Sequence, residues 1–162
     1  MKKNNVLITG ATGKVGYQLL QKLKNSNEVN IYAAGRNIEK MQAVIDDEEI
    51  RYVRHDFKDK STYESSLENI DVVFLIRPPA ISKVKKYIKP FLEKIKEKEI
   101  KKVIFLSLQG ADKNIIVPHH RVEKYIENLE IPYTFLRPSF FMQNLSTTHK
   151  KEIKDNNEIF IK

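Results

Sequence analysis

Asn5-Val6-Leu7-Ile8-Thr9-Gly10-Ala11-Thr12-Gly13-Lys14-Val15-Gly16 runs from an apolar stretch into a glycine-punctuated turn. The continuous apolar character of Asn5–Thr9 predicts a buried strand, which Gly10 ends. From Lys14 to Lys24 the residues Val15, Leu19, Leu20 and Leu23 fall on one helical face. The turn between them is a G-x-x-G-x-x-G pattern. Gly10 lets the chain leave the strand sharply, Gly13 removes a side chain where backbone must approach a phosphate, and Gly16 lets the helix lie close to the strand. A close-packed strand–helix turn with no ligand would use the same glycines. The strand before, the helix after and a second strand at the right distance favour a phosphate cradle built on a helix N-terminus. Gly10, Thr12, Gly13, Lys14, Val15 and Gly16 are therefore the expected contacts to a dinucleotide pyrophosphate. Three of the chain's 5 glycines sit in this one turn, so glycine here is concentrated by need.

The alternation continues outward. Strands are expected at Val29–Ala34, Ile50–Arg54, Asp71–Ile76, Lys102–Ser107 and Tyr133–Arg137. Helices are expected at Ile38–Ile45, at Ser61–Leu67 with Ser61 as a cap, at Ser82–Lys98 and at Arg121–Leu129. Pro90 falls inside the long one and should kink it. Apolar strands alternating with helices imply an α/β fold, a doubly wound parallel sheet with helices on both faces, of the Rossmann type. The 162 residues suit one domain, and no repeat or linker divides them.

Composition excludes several other classes. With no Cys there is no disulfide framework, thiolate zinc site or thiol chemistry, which suits a reducing cytoplasm. The basic N-terminus is followed by too short an apolar run for a signal peptide, and no run reaches membrane-spanning length. A soluble cytoplasmic protein is expected. The net charge of +8 invites a nucleic-acid reading, but the lysines are scattered and lack stacking aromatics or arginine clusters. The dense stretch from Lys83 to Lys102 places its charges around an apolar stripe, as a solvated helix face does.

The end of the second strand bears on which dinucleotide is bound. A carboxylate there would accept from the ribose 2′-OH of NAD, but this chain reads Ala33-Ala34-Gly35-Arg36-Asn37. Arg36 is the candidate ligand for a 2′-phosphate, with Lys14 as helper, so NADP(H) is expected over NAD(H), which stays possible. A solvated loop arginine is the alternative. Asp56, after the third strand, either accepts from the adenine amine or caps a turn. Arg77 and Pro78, after the fourth, are expected to lay backbone and ring surface against the cofactor ribose.

These stretches, together with Phe105-Leu106-Ser107 and Tyr133-Thr134-Phe135-Leu136-Arg137-Pro138-Ser139-Phe140-Phe141-Met142-Gln143-Asn144, resemble the NmrA-like atypical short-chain dehydrogenases/reductases. The resemblance runs over almost the whole chain, and its last stretch is more specific than the glycine turn. It implies an NAD(P)-binding protein, since that family holds quinone and phenylpropanoid reductases as well as regulators that bind the dinucleotide without turning it over. The resemblance also implies a C-terminal lobe that caps the substrate, and most of that lobe is expected to be missing from this chain. It ends after Glu158-Ile159-Phe160-Ile161, which reads as the start of a strand.

The resemblance also implies a catalytic set. Carbonyl-reducing short-chain dehydrogenases use a Ser after the fifth strand with a Tyr-x-x-x-Lys motif. Here Ser107 holds the Ser position, His120 stands where the Tyr would be, and Lys124 follows four residues later. Two readings compete: Ser107, His120 and Lys124 form a working acid site with Lys124 on the nicotinamide ribose, or the acid site has decayed to a binding site. Phe141 and Asn144 are expected at the substrate pocket, with core packing as the alternative for Phe140 and Phe141. His119 and His120 point apart on a helix and have no third ligand, so no metal is expected. The expected function is an NADPH-dependent reductase of quinones or related carbonyls acting by hydride transfer on a small molecule. The alternative is a non-catalytic redox sensor signalling to a protein partner. A homodimer is compatible with either.

Overall fold

A computed structural model describes residues 3–139, 141–146 and 149–158, with only the backbone of Gln143. Six parallel strands, β1 (Asn4–Thr9), β2 (Val29–Gly35), β3 (Arg51–Arg54), β4 (Val72–Leu75), β5 (Lys102–Leu106) and β6 (Tyr133–Leu136), form one sheet in the order β3-β2-β1-β4-β5-β6. The helices are α1 (Lys14–Leu23), α2 (Ile38–Ile45), α3 (Ser61–Ser66), α4 (Val84–Tyr87), α5 (Lys89–Glu97), α6 (Pro118–Asn128) and α7 (Lys150–Asn156). A short 3-10 turn covers Met142–Asn144. This is the doubly wound Rossmann-type α/β fold. Parallel strands need crossovers, and the crossovers carry helices to both faces.

One face packs Leu7, Val73, Leu75, Val103 and Phe105 against the helices that follow β3, β4 and β5, with Phe91, Leu92, Ile95, Val122 and Ile126 at its centre. The other packs Ile8, Ile31, Ala33 and Phe74 with Leu20 of α1 and Met41 and Ile45 of α2. Chain order reverses between β1 and β4, which are in register from Val6–Val72 to Ile8–Phe74. The crevice above that pair is where ligands bind in open α/β sheets.

Several boundaries differ from expectation, each for a local reason. The long helix is broken at Ile88 into α4 and α5, because Pro90 has no N–H and its ring cannot follow a continuous turn. Pro90 instead sits in the first turn of α5, where no donor is needed. Ser61 is not the cap of α3. The N-cap position is Lys60, which gives no side-chain bond, and Asp59 just before it accepts at Oδ1 from Ser61 N at 3.1 Å and from Ser61 Oγ at 2.6 Å. Helix α6 begins three residues earlier than expected, with Pro118 in its first turn, which takes His119 and His120 into the helix. Helix α7 had no counterpart in the sequence reading, and the expected strand at 158–161 lies, apart from Glu158, outside the described residues.

His55, at the end of β3, is buried among Phe57, Tyr63 and Phe91, with ring centroids 4.4–5.6 Å away. Its Nδ1 is 3.1 Å from Ser66 Oγ, and its Nε2 has no partner among the described residues. Burial pushes its pKa down to about 4 from 6.5, against a smaller opposing effect of Asp56. The folded protein thus binds fewer protons than the unfolded chain between these values. The associated stability is complete above about pH 6.5 and is lost as pH falls toward 4, by on the order of 3 kcal/mol at most. In urea denaturation across that window, His55→Phe should show a shallower loss of stability than the parent, whatever its starting value.

Candidate functional site

The glycine turn stands at the switch point. Gly10 has φ +64°, the left-handed region, and its carbonyl accepts from Gly13 N at 2.9 Å. A Cβ on Gly16 would lie 2.2 Å from Gly10 O and 3.0 Å from Ala11 Cα, so only glycine lets α1 approach the strand exit. Thr9 fastens the adjacent strand: its hydroxyl accepts from Ile76 N at 2.7 Å and is 3.1 Å from Ile76 O, tying β1 to the end of β4. Helix α1 has Gly13 as its N-cap, with no side chain to satisfy the first-turn N–H groups. Thr12, Gly13 and Lys14 are exposed there. An uncapped, exposed helix N-terminus that admits backbone-close contact fits a pyrophosphate.

A cavity of about 850 Å³ opens beside this turn, walled by Val15 and Leu19 of α1, Phe74 of β4, Leu136 of β6, and Phe141 and Asn144 after β6. The structure thus brings Thr12, Gly13, Lys14, Val15, Phe141 and Asn144 around one space, largely apolar with a polar rim. Phe140 lies outside the described residues.

The other expected site residues are placed as follows. Arg36 follows β2, is exposed and forms no ion pair among the described residues. Asp56 serves the turn: its Oδ1 accepts from Lys58 N at 2.9 Å, and its own N–H donates to Thr62 Oγ1 at 3.1 Å. Arg77 is turned inward. Its Nη1 donates to the carbonyls of Pro78, Pro79 and Ile81 at 2.9, 3.3 and 2.7 Å, and burial lowers its pKa. Arg77 and Pro78 accordingly brace the loop after β4, and the Pro78 carbonyl also accepts from Ile81 N.

Ser107, His120 and Lys124 each bond to a group outside the expected set. Ser107 Oγ donates to Glu123 Oε1 at 2.6 Å. Nδ1 of His120 lies 2.8 Å from the Ala111 carbonyl, and a carbonyl only accepts, so the proton of the neutral ring is on Nδ1 and Nε2 is an acceptor. Lys124 pairs with Glu127 at 2.7 Å, one turn further from the carboxyl edge of the sheet, and the pairing raises its pKa.

Two residues given no role from sequence hold this region together. Glu123, buried in α6, receives Ser107 and both Nε and Nη2 of Arg137, at 3.0 and 2.9 Å. The signal was present: a glutamate between Val122 and Ile126 occupies the core stripe, where a carboxylate requires partners. His119 stacks on Phe105 at 5.9 Å, and burial lowers its pKa to about 4, with a further lowering from Arg77. Among the described residues no group of three or more His, Asp or Glu could hold a metal ion, and no helix is long and apolar enough to cross a membrane.

Gly16→Ala should lower urea stability by roughly 1–3 kcal/mol or more through the clash with Gly10 O. Gly110→Ala, whose Cβ meets nothing within 4 Å but whose φ is +78°, should cost about 1 kcal/mol. Equal losses at the two positions would refute the close-approach argument.

The sequence profile of an NAD(P)H-binding family matches residues 10–161. The chain is 34% identical over 158 residues to prestalk A differentiation protein A of Dictyostelium discoideum, covering 97% of this chain and 52% of that protein. It is 33% identical over 164 residues to the uncharacterized oxidoreductase YesF of Bacillus subtilis (strain 168), covering 98% and 53%. Among solved structures, the NADPH-dependent quinone oxidoreductase QOR2 of Escherichia coli, complexed with NADPH, superposes with a TM-score of 0.81 at 24% identity. That match covers 93% of this chain and 54% of the other, and shows a shared fold. The chain spans about half the length of the curated relatives it matches. With the glycine turn, the switch-point crevice and the family profile in agreement, the chain belongs to the NAD(P)H-binding family, in line with its NmrA-like resemblance.

Proposed function

We propose that the chain is the cofactor-holding lobe of an NADPH-dependent reductase that passes hydride to a quinone or related carbonyl acceptor. The observation that carries this reading is the uncapped N-terminus of α1 behind Gly10, Gly13 and Gly16, beside a largely apolar cavity at the same edge. In this reading the glycine turn seats the pyrophosphate and Arg36 pairs with the 2′-phosphate. No carboxylate stands at the end of β2 to oppose that pairing, since Ala33-Ala34-Gly35 precede Arg36. NADPH, when bound, supplies the hydride. Val15, Phe74, Leu136 and Phe141 offer a flat acceptor apolar walls that exclude water, and Asn144 offers a polar contact at the rim. The relatives named oxidoreductases support this class of reaction.

The committed hydrogen bonds of Ser107 and Lys124 favour acceptors that need little help from a protein acid, and quinones are of that kind. The same bonds support a second reading, a dinucleotide-binding redox sensor acting on a protein partner. A homodimer suits both.

Arg36→Ala should weaken NADPH binding about tenfold or more and leave NADH binding nearly unchanged, as read by reduced-nicotinamide fluorescence. An equal effect on both cofactors would sink the 2′-phosphate assignment. NADPH oxidation with a quinone panel tests the activity: turnover supports the reductase, while tight binding without turnover favours the sensor.

A further inference from the structure

Glu123 lies on the apolar stripe of α6 and is 2% exposed, where a carboxylate persists only with hydrogen-bond partners. It has three. Ser107 Oγ donates to Oε1 at 2.6 Å, Arg137 Nε to the same oxygen at 3.0 Å, and Arg137 Nη2 to Oε2 at 2.9 Å. The paired carboxylate has no hydrogen to offer in return. The single hydrogen of Ser107 is therefore spent on Glu123, and its oxygen meets everything else as an acceptor. Arg137 is steadied by Asp112 at 3.9 Å and by the Phe135 ring, 5.6 Å from its guanidinium carbon. Ser107 and Arg137 follow β5 and β6, on the opposite side of the switch point from Arg36.

We propose that Glu123, braced by Arg137, is a positioning residue that presents Ser107 Oγ as a hydrogen-bond acceptor to the carboxamide N–H of the bound nicotinamide. The proposal rests on the NADPH reading above. With the adenosine half at the end of β2 and the pyrophosphate at the glycine turn, the nicotinamide half falls toward the ends of β4, β5 and β6. The carboxamide carries an NH2 donor, which suits an oxygen whose own hydrogen is occupied. Glu123→Gln would reverse that polarity, because the amide NH2 can donate to Ser107 Oγ and release the serine hydrogen.

The test compares NADPH with the reduced 3-acetylpyridine analogue of NADP, which keeps a carbonyl but has no amide N–H. Both are titrated by fluorescence or calorimetry. The fragment 2′,5′-ADP, which reaches only the adenosine half, serves as control. The parent chain should bind NADPH roughly fivefold more tightly than the analogue, the ratio that one neutral hydrogen bond supplies. Glu123→Gln and Ser107→Ala should each bring the ratio close to one, and the double variant should go no further, while 2′,5′-ADP binds as before. A full ratio in Ser107→Ala overturns the proposal. If Glu123→Gln also loses 2′,5′-ADP, its fold is damaged and Ser107→Ala decides alone, a lost ratio supporting the proposal and a kept one overturning it. A parent chain that binds neither NADPH nor 2′,5′-ADP overturns the NADPH reading itself. Equal binding of NADPH and analogue overturns only the role of Ser107.

Discussion

The approach of α1 to the exit of β1 is the constraint on which the rest of the edge depends. The Gly16 Cα faces the Gly10 carbonyl so closely that a methyl group there would be 2.2 Å from the oxygen. No rotamer change relieves a clash between two backbones, so this contact sets the angle of α1 over the sheet and aims its N-terminus at the crevice. The positive φ of Gly10 turns the chain into that position, and the Thr9–Ile76 bonds keep β1 and β4 together directly beneath it. A helix dipole and exposed N–H groups favour an anion only when they point at the place the anion occupies. The glycines supply that aim.

Around the turn, the edge is stabilised by hydrogen bonds within the protein. Arg77 spends its guanidinium on three loop carbonyls, Asp56 closes its own turn, and Ser107 joins Glu123 and Arg137. These bonds pair polar groups whose burial would otherwise be costly, although Arg77 Nε stays buried without a partner among the described residues. Each also takes a residue that sequence position alone would assign to a ligand. What remains available is backbone at the glycine turn, Arg36 outside it, and the apolar wall formed by α1, Phe74, Leu136 and Phe141. In the proposed reading, such an edge serves to hold phosphates and to shelter a flat apolar group.

The lysine-rich surface has a similarly local account. Lys94 and Lys98 both pair with Glu64, Lys94 also with Glu97, Lys89 with Glu93, and Lys101 with Asp71. Exposed pairs of this kind contribute little individually. Their effect is to intersperse opposite charges along α5 and its neighbours, so the basic balance does not gather there into one continuous field.

The order of strands and helices, the glycine turn and the two-faced core were legible in sequence because they follow from periodicities of two and 3.6 and from residues with restricted backbone preferences. The break near Pro90 was legible for the same reason, since a missing N–H acts wherever the residue sits. The site side chains were only partly legible. Residues on the turn, together with Phe141 and Asn144, came together around one cavity because chain connectivity carries them to the same edge. The family resemblance implies Ser107, His120 and Lys124 as a set, whereas the folded chain gives each another partner: Glu123 on α6, the Ala111 carbonyl from a loop, and Glu127 one turn along. Hydrogen-bond partnership depends on ångström distances between groups far apart in sequence and on which face a helix turns inward. Local pattern determined the scaffold and the glycine turn at which the dinucleotide site is proposed. Only the packing of α6 against β5 and β6 decided that the serine's proton was already spoken for.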